Sequence, residues 1–157
     1  MDKPLTRWYC DVCHKPIEPN QRGYVIWQST PGGVDGFHKA HDFKIIHQKI
    51  CDNKNFSSSA ALTDFLGVDG LTYLLTKLSR GPVQEPDPGT PEGRVLDMNE
   101  FVDFVRRVQI PYYEEARRRF GDHDFQNDFS DSNEVFPYRQ EQLKAIITRY
   151  PDPSGQN

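Results

Sequence analysis

Apolar positions along this chain fall into short clusters separated by turn-forming residues, and the period changes from two to 3.6 part-way along. Trp8 to Ile17 reads as a tight turn entered by a short extended segment. Gly23-Tyr24-Val25-Ile26-Trp27-Gln28 is β-branched and aromatic, which predicts a strand. Ser29 to Gly36 carries every loop signal, and Asp42-Phe43-Lys44-Ile45-Ile46 predicts a second strand, antiparallel to the first across that loop. The next residues, His47 to Cys51, predict the start of a helix or a helical turn.

From residue 57 the pattern becomes helical. Ser57-Ser58-Ser59 offers N-cap hydroxyls to a short helix through Ala60, Leu62, Phe65 and Leu66, interrupted at Gly67. Asp69 can cap the following helix, whose Leu71, Leu74, Leu75 and Leu78 repeat at the spacing of one buried face, and Gly81-Pro82 ends it. Asp97 with Glu100 three residues on reads as a capping box, with Met98, Phe101, Val102, Val105 and Val108 as the apolar stripe behind it. Pro111 cannot continue a helix and predicts a kink or a fresh start, with Tyr113, Ala116 and Phe120 inward and Gly121 closing. A last helix from about Pro137 to Tyr150 buries Leu143, Ile146, Ile147 and Tyr150, and Pro151 stops it.

The predicted class is therefore α+β, with a strand-bearing subdomain at 1–56 and a helical subdomain at 57–157. A Pro/Gly-rich mobile loop at 81–96 lies inside the second. The 57–80 helices follow without a flexible linker, so both parts are expected to share a core in one continuous domain. At 157 residues folding buries roughly 70% of the unfolded surface, and ten Phe, seven Tyr and two Trp supply bulk that an apolar content of 36% does not.

Charge changes the picture little. The net −4 gives no overall attraction to nucleic acid or anionic lipid. Residues 1–56 carry eight basic and six acidic groups, so a polyanion would meet that part first. Residues 122–134 hold five acidic groups and no Lys or Arg, and read as a solvated connector. No apolar run approaches the roughly 18 residues of a membrane span, nor does the N-terminus resemble a signal peptide. With an odd number of cysteines, that predicts the reducing cytoplasm, where grouped cysteines bind metal more often than they form disulfides.

All three cysteines and four of the five histidines lie between residues 10 and 51. Cys10-Asp11-Val12-Cys13 places two sulfurs on one side of an ion, and His47-Gln48-Lys49-Ile50-Cys51 puts two more ligands one helical turn apart. Cys10, Cys13, His47 and Cys51 thus make a Cys3His set suited to one structural zinc. His41 is the alternative to His47, while His38 and His41 are expected in the hairpin loop. Cys10 to His14 also spells a haem-c attachment pattern, and Cys-x2-Cys a redox pair. The first needs secretion, the second a βαβ unit, and neither is signalled. Three unconnected buried cysteines would leave the spacing accidental.

Knuckle, hairpin and a helix bearing the last two ligands resemble the treble-clef zinc finger over about residues 8–56. Treble clefs include LIM-type adaptors, RNA-binding ribosomal proteins and HNH nucleases, so the resemblance implies a fold and a structural metal without selecting a function. HNH enzymes need a general-base histidine on the first hairpin strand and a metal-binding histidine on the helix. Tyr24 to Trp27 offers no such base, and Asp52 to Phe56 no such ligand. An EF-hand at Gly121 to Asp128 fails at Gln126, at the missing sixth-position glycine and at Asn133.

Basic groups near aromatics, at Arg7, Trp8, Tyr9, Lys39, Lys44, Lys49 and Lys54 and at Arg117-Arg118-Arg119 beside Tyr112 and Tyr113, could grip nucleic acid. Glu114 and Glu115 can instead pair with those arginines as surface salt bridges. The expectation is a non-catalytic zinc-binding module whose partner is another protein. Nucleic-acid binding is the alternative, and an HNH-like nuclease comes after it.

Overall fold

A computed structural model describes residues 1–31, 38–79, 81–83 and 94–154. The central part of the expected mobile loop, residues 84–93, lies outside the described residues, as does the hairpin tip at 32–37. The architecture is α+β, with antiparallel strands in the N-terminal half and a mostly helical C-terminal half. No described helix is long and apolar enough to cross a membrane. Two compact units form, Thr6–Gln109 and Met1–Leu5 with Ile110–Asn157.

In the first unit, strands β1 (Trp8–Tyr9) and β2 (Pro16–Ile17) pair around the Cys-x2-Cys turn. Strands β3 (Gly23–Pro31) and β4 (His38–His47) form the predicted hairpin, and both run longer than their apolar clusters suggest. His38 and His41 are therefore strand residues rather than loop residues. A third strand, β5 (Ser58–Ala61), pairs antiparallel with β3 and makes β3 the centre of the sheet. Val25, Ile26 and Trp27 are buried in succession, as a central strand covered on both faces requires.

β5 replaces the helix expected after the serine run. Its backbone groups complete a ladder with β3, a long-range partner that local capping rules do not register. Only a single 3₁₀ turn follows, over Leu62–Phe65. Helix α1 (Gly67–Thr76) then starts at Gly67 instead of breaking there. Asp69 lies in its first turn, and no side chain caps it. Of the predicted stripe, Leu74 is buried but Leu71 and Leu75 face solvent. The face turned inward is set by Gly70, where an added Cβ would stand 2.1 Å from the backbone carbon of Phe65. That approach admits glycine alone.

Helix α2 (Met98–Gln109) has the predicted N-cap, with the Glu100 N–H donating to Asp97 Oδ1 at 3.1 Å. Glu100 does not complete the capping box. Its Oε1 accepts instead from the Phe43 N–H at 2.8 Å. That N–H is free because β4 carries an extra residue opposite Trp27, with Asp42 in the left-handed region at φ 58°. The inward face of α2 is Phe101, Phe104, Arg107 and Val108, rotated from the predicted stripe so that Met98 is exposed. Phe104 stacks on Phe43 at 4.9 Å between centroids and meets Phe65 edge-on, while Trp27 packs on both Phe43 and Phe65. This aromatic group is the core of the unit.

In the second unit, the predicted break at Pro111 is present. α2 has ended, Tyr112 adopts φ 66°, and α3 (Tyr113–Arg117) starts afresh with Tyr113 and Ala116 buried. The acidic stretch read as a connector contains α4 (His123–Asp128), because the Asp122 carboxylate accepts the N–H groups of Asp124 and Phe125. Helix α5 (Gln140–Arg149) follows a 3₁₀ turn at Phe136–Tyr138 and buries Leu143 and Ile146, with Tyr150 beyond its end. Those residues join Phe125, Tyr113 and Ala116 in a second core.

Candidate metal centre

The first pair of ligands sits on a turn closed by its flanking strands. The Cys10 N–H donates to Lys15 O at 3.0 Å and the His14 N–H to Cys10 O at 2.9 Å, with His14 at φ 61°. The Val12 N–H points at Cys10 Sγ at 3.4 Å, leaving the sulfur a second direction in which to bind.

The second pair is not helical. β4 ends at His47, and the chain turns back through Gln48, whose N–H donates to Arg22 O at 3.0 Å. Lys49 takes φ 71°, and the Cys51 N–H closes on His47 O at 3.3 Å. One such bond satisfies the four-residue spacing that the sequence offers, and no helix continues it. Both pairs therefore ride on turns that leave a strand and carry a non-glycine residue in the left-handed region, a conformation worth about 1–2 kcal/mol of strain each.

The ligand atoms of Cys10, Cys13, His47 and Cys51 all lie within 4.8 Å of one another, the only such group among the described residues. Cys13 Sγ is 3.5 Å and Cys51 Sγ 3.8 Å from His47 Nδ1. A zinc with bonds of about 2.3 Å to sulfur and about 2.0 Å to nitrogen holds tetrahedral S and N ligands about 3.6 Å apart. The donor set fits that ion. Cys10 is buried and the other three are partly buried.

The imidazole is already oriented for the task. His47 Nε2 lies 3.1 Å from Pro16 O, and a carbonyl only accepts, so Nε2 carries the proton and Nδ1 turns its lone pair to the three sulfurs. The thiols are unequal. Burial pushes Cys10 up, but the N–H groups of Cys13, Val12 and His47 and the His47 ring together outweigh it and bring the thiol down to about 6. Burial and then the neighbouring sulfurs of Cys10 and Cys13 push Cys51 up to about 12. Without a cation Cys51 therefore keeps its proton, and a bound cation would favour the thiolate form of all three cysteines.

His41, the alternative ligand, is elsewhere, with Nε2 3.0 Å from Thr30 Oγ1. His38 Nδ1 lies 3.3 Å from Ser29 O, and His14 is exposed.

Two residues that the ligand pattern did not single out hold the first turn in place. Asp11, between the cysteines, bonds β4 twice: its N–H donates to Ile45 O at 2.8 Å, and its Oδ2 accepts from the Ile45 N–H at 2.7 Å. The same oxygen accepts from Arg107 Nη1 at 2.7 Å. Arg107 also donates from Nη2 to Tyr9 O at 3.2 Å, and its own carbonyl accepts from Trp8 Nε1 at 3.0 Å. α2 thus clamps both residues that precede Cys10. The spacing of Phe101, Phe104 and Val108 held the signal, since it places Arg107 on the same inward face.

The arginine run is engaged within its own unit. Arg117 Nη1 lies 3.9 Å from Glu114, Arg118 Nη2 2.8 Å from Asp152, and Arg119 donates to Tyr150 O at 3.0 Å and Glu115 O at 2.7 Å. Comparison with protein-family models, with curated proteins and with solved structures gives no match.

Proposed function

We propose that this chain is a non-catalytic module built on one structural zinc, held by Cys10, Cys13, His47 and Cys51, and that its surface binds another protein. The observation that carries the metal is the convergence of four donor atoms at tetrahedral spacing, with His47 Nδ1 turned inward by the bond from Nε2 to Pro16 O. Four protein donors close the coordination sphere, whereas a catalytic zinc keeps a position for water or substrate. The metal therefore shapes the chain and does no chemistry of its own. Knuckle followed by hairpin is the treble-clef order, and we relate the chain to that fold over those elements only, since the last two ligands ride on a turn.

The nucleic-acid reading has less support, because Arg118 and Arg119 are tied to Asp152, Tyr150 and Glu115 and Trp8 is buried. Native mass spectrometry on protein purified without added metal tests the proposal. One zinc per chain is expected in the wild type and none in Cys51→Ala. A metal-free wild type that remains folded ends it.

A further inference from the structure

Next to the second ligand turn the surface forms a cleft that the fold leaves open. Its volume is about 360 Å³, and Trp8, Ile17, Leu62 and Leu66 give it an apolar lining. Arg22 and Gln48 also line it, and they line a second, more open hollow with Lys49 and Ile50. A space of this size takes one large side chain or a small ligand. Neither Arg22 nor Lys49 has an ion pair or side-chain hydrogen bond among the described residues. The one acidic group on the lining, Glu18, is neutralised by Arg7 at 3.1 Å. Ile50 is 87% exposed, between a cation and a metal ligand, where it contributes nothing to either core. An apolar slot, two uncompensated positive charges and a bare aliphatic side chain thus lie on one stretch of surface, around the metal-bound turn.

Resting on the protein-binding reading above, we infer that this face binds an acidic segment of a partner protein, one apolar side chain entering the cleft and flanking carboxylates lying against Arg22 and Lys49. The charge sign selects carboxylates, and the single slot selects a peptide side chain. A nucleic acid fits less well, because two cations release few counterions and Trp8, 5% exposed, has no face free to stack on a base. The metal enters this inference as a support, because the turn that presents Lys49 and Ile50 is fixed at both ends by His47 and Cys51.

The test uses the full zinc-loaded chain and a fluorescein-labelled degenerate peptide pool, rich in Asp and Glu around one central Leu or Phe, read by anisotropy. The acidic pool is expected to bind at micromolar concentration. A pool with Lys and Arg in place of the acids, a pool with a central Ser, and single-stranded DNA should each bind at least about tenfold more weakly. Arg22→Glu should weaken the acidic pool about tenfold, and the double variant Arg22→Glu/Lys49→Glu should prefer the basic pool. Thr63→Trp, which lays an indole at the mouth of the cleft from an exposed position, should weaken both the Leu and the Phe pool.

The inference is overturned by no binding of the acidic pool up to about 1 mM, by equal binding of acidic and basic pools, by preferred binding of DNA, or by variants that bind as the wild type does. Zinc content, measured on every sample, separates the two levels. Wild type and variants that keep one zinc but fail the peptide test remove this face and leave the metal module standing. A wild type without zinc removes the module reading itself.

Discussion

In the unit Thr6–Gln109 the decisive contacts join residues far apart in sequence. The Trp8 indole bonds Arg107, Asp11 bonds both Ile45 and Arg107, and the Cys3His cluster ties a turn after β1 to a turn after β4. In the stretch from Ile110 onward the buried residues fall between Tyr113 and Asp152, and each helix rests on neighbours a few turns away. The first arrangement has to close long loops before any contact repays their entropy. The proposed metal ion and the buried ion pair would be two clips that offset that cost. The second arrangement depends less on such clips, because its aromatic side chains gather locally, Phe120 on Phe125 at 5.1 Å and Phe125 on Phe129 at 4.6 Å. Dependence on metal should therefore divide the chain.

Removing the metal is the strongest way to test that division. Structural zinc supplies on the order of 10–16 kcal/mol in small zinc domains, which matches or exceeds the whole stability of a typical domain. Chelation, or Cys51→Ala, should unfold Thr6–Gln109 while α3, α4 and α5 persist. Both tryptophans, Trp8 and Trp27, lie in the first unit, so indole fluorescence reports it alone. The expected outcome is a red-shifted indole spectrum with part of the 222 nm helical signal retained. An unchanged spectrum in Cys51→Ala with no bound metal would refute the division.

A smaller effect is expected at the second clip. The Arg107 side chain is 4% and that of Asp11 23% exposed, so removing the arginine leaves a largely buried carboxylate without its cation. Breaking such a pair costs about 3–5 kcal/mol. Arg107→Leu should lower the unfolding free energy read from the indole transition by that amount and weaken zinc retention, since Asp11 sits between two of the proposed ligands. Asp11→Asn in the same background should restore part of the loss, because an amide no longer needs the charge. Without any recovery, the cost of Arg107→Leu belongs to packing and not to the stranded carboxylate.

What could be read from the sequence follows the same division of local and distant causes. The clustering of Cys10, Cys13, His47 and Cys51 is legible because donor chemistry and short spacing are local facts, and so are the break at Pro111 and the inward residues of α5. His47 to Cys51 reads as helical in the sequence for a physical reason: a single turn makes the same Cys51-to-His47 backbone bond as the first turn of a helix. β5 was misread because small residues after a serine run satisfy capping rules, while its true partner is a strand some thirty residues earlier, Trp27 opposite Ser58. The outward Leu71 and Leu75 were misread because the inward face of α1 is fixed by the contact at Gly70, not by hydrophobicity. Arg107 is hidden from the pattern because a charged side chain reads as surface until its acidic partner is known.

The smallest effect concerns the second unit alone and turns on acid. Burial pushes Asp152 up, but bonds from the Ser154 N–H and hydroxyl, then the Arg118 and Arg119 guanidinium groups, outweigh it and hold the carboxyl below the usual range. A carboxyl depressed in the folded state binds its proton more readily when unfolded. Its contribution is complete above the unfolded value of about 4 and is lost as pH falls through the lower folded value. Asp152→Asn keeps an acceptor for Ser154 but removes the charge facing both arginines. At pH 6 the variant should melt below the wild type, and the gap should narrow steadily as the pH is lowered toward 3. Any loss of bound zinc in acid would affect both proteins alike and cancel in the difference, so the gap isolates Asp152. A gap that stays constant across that range would show that the charge of Asp152 does not set its contribution, leaving the helical unit without an electrostatic clip of its own.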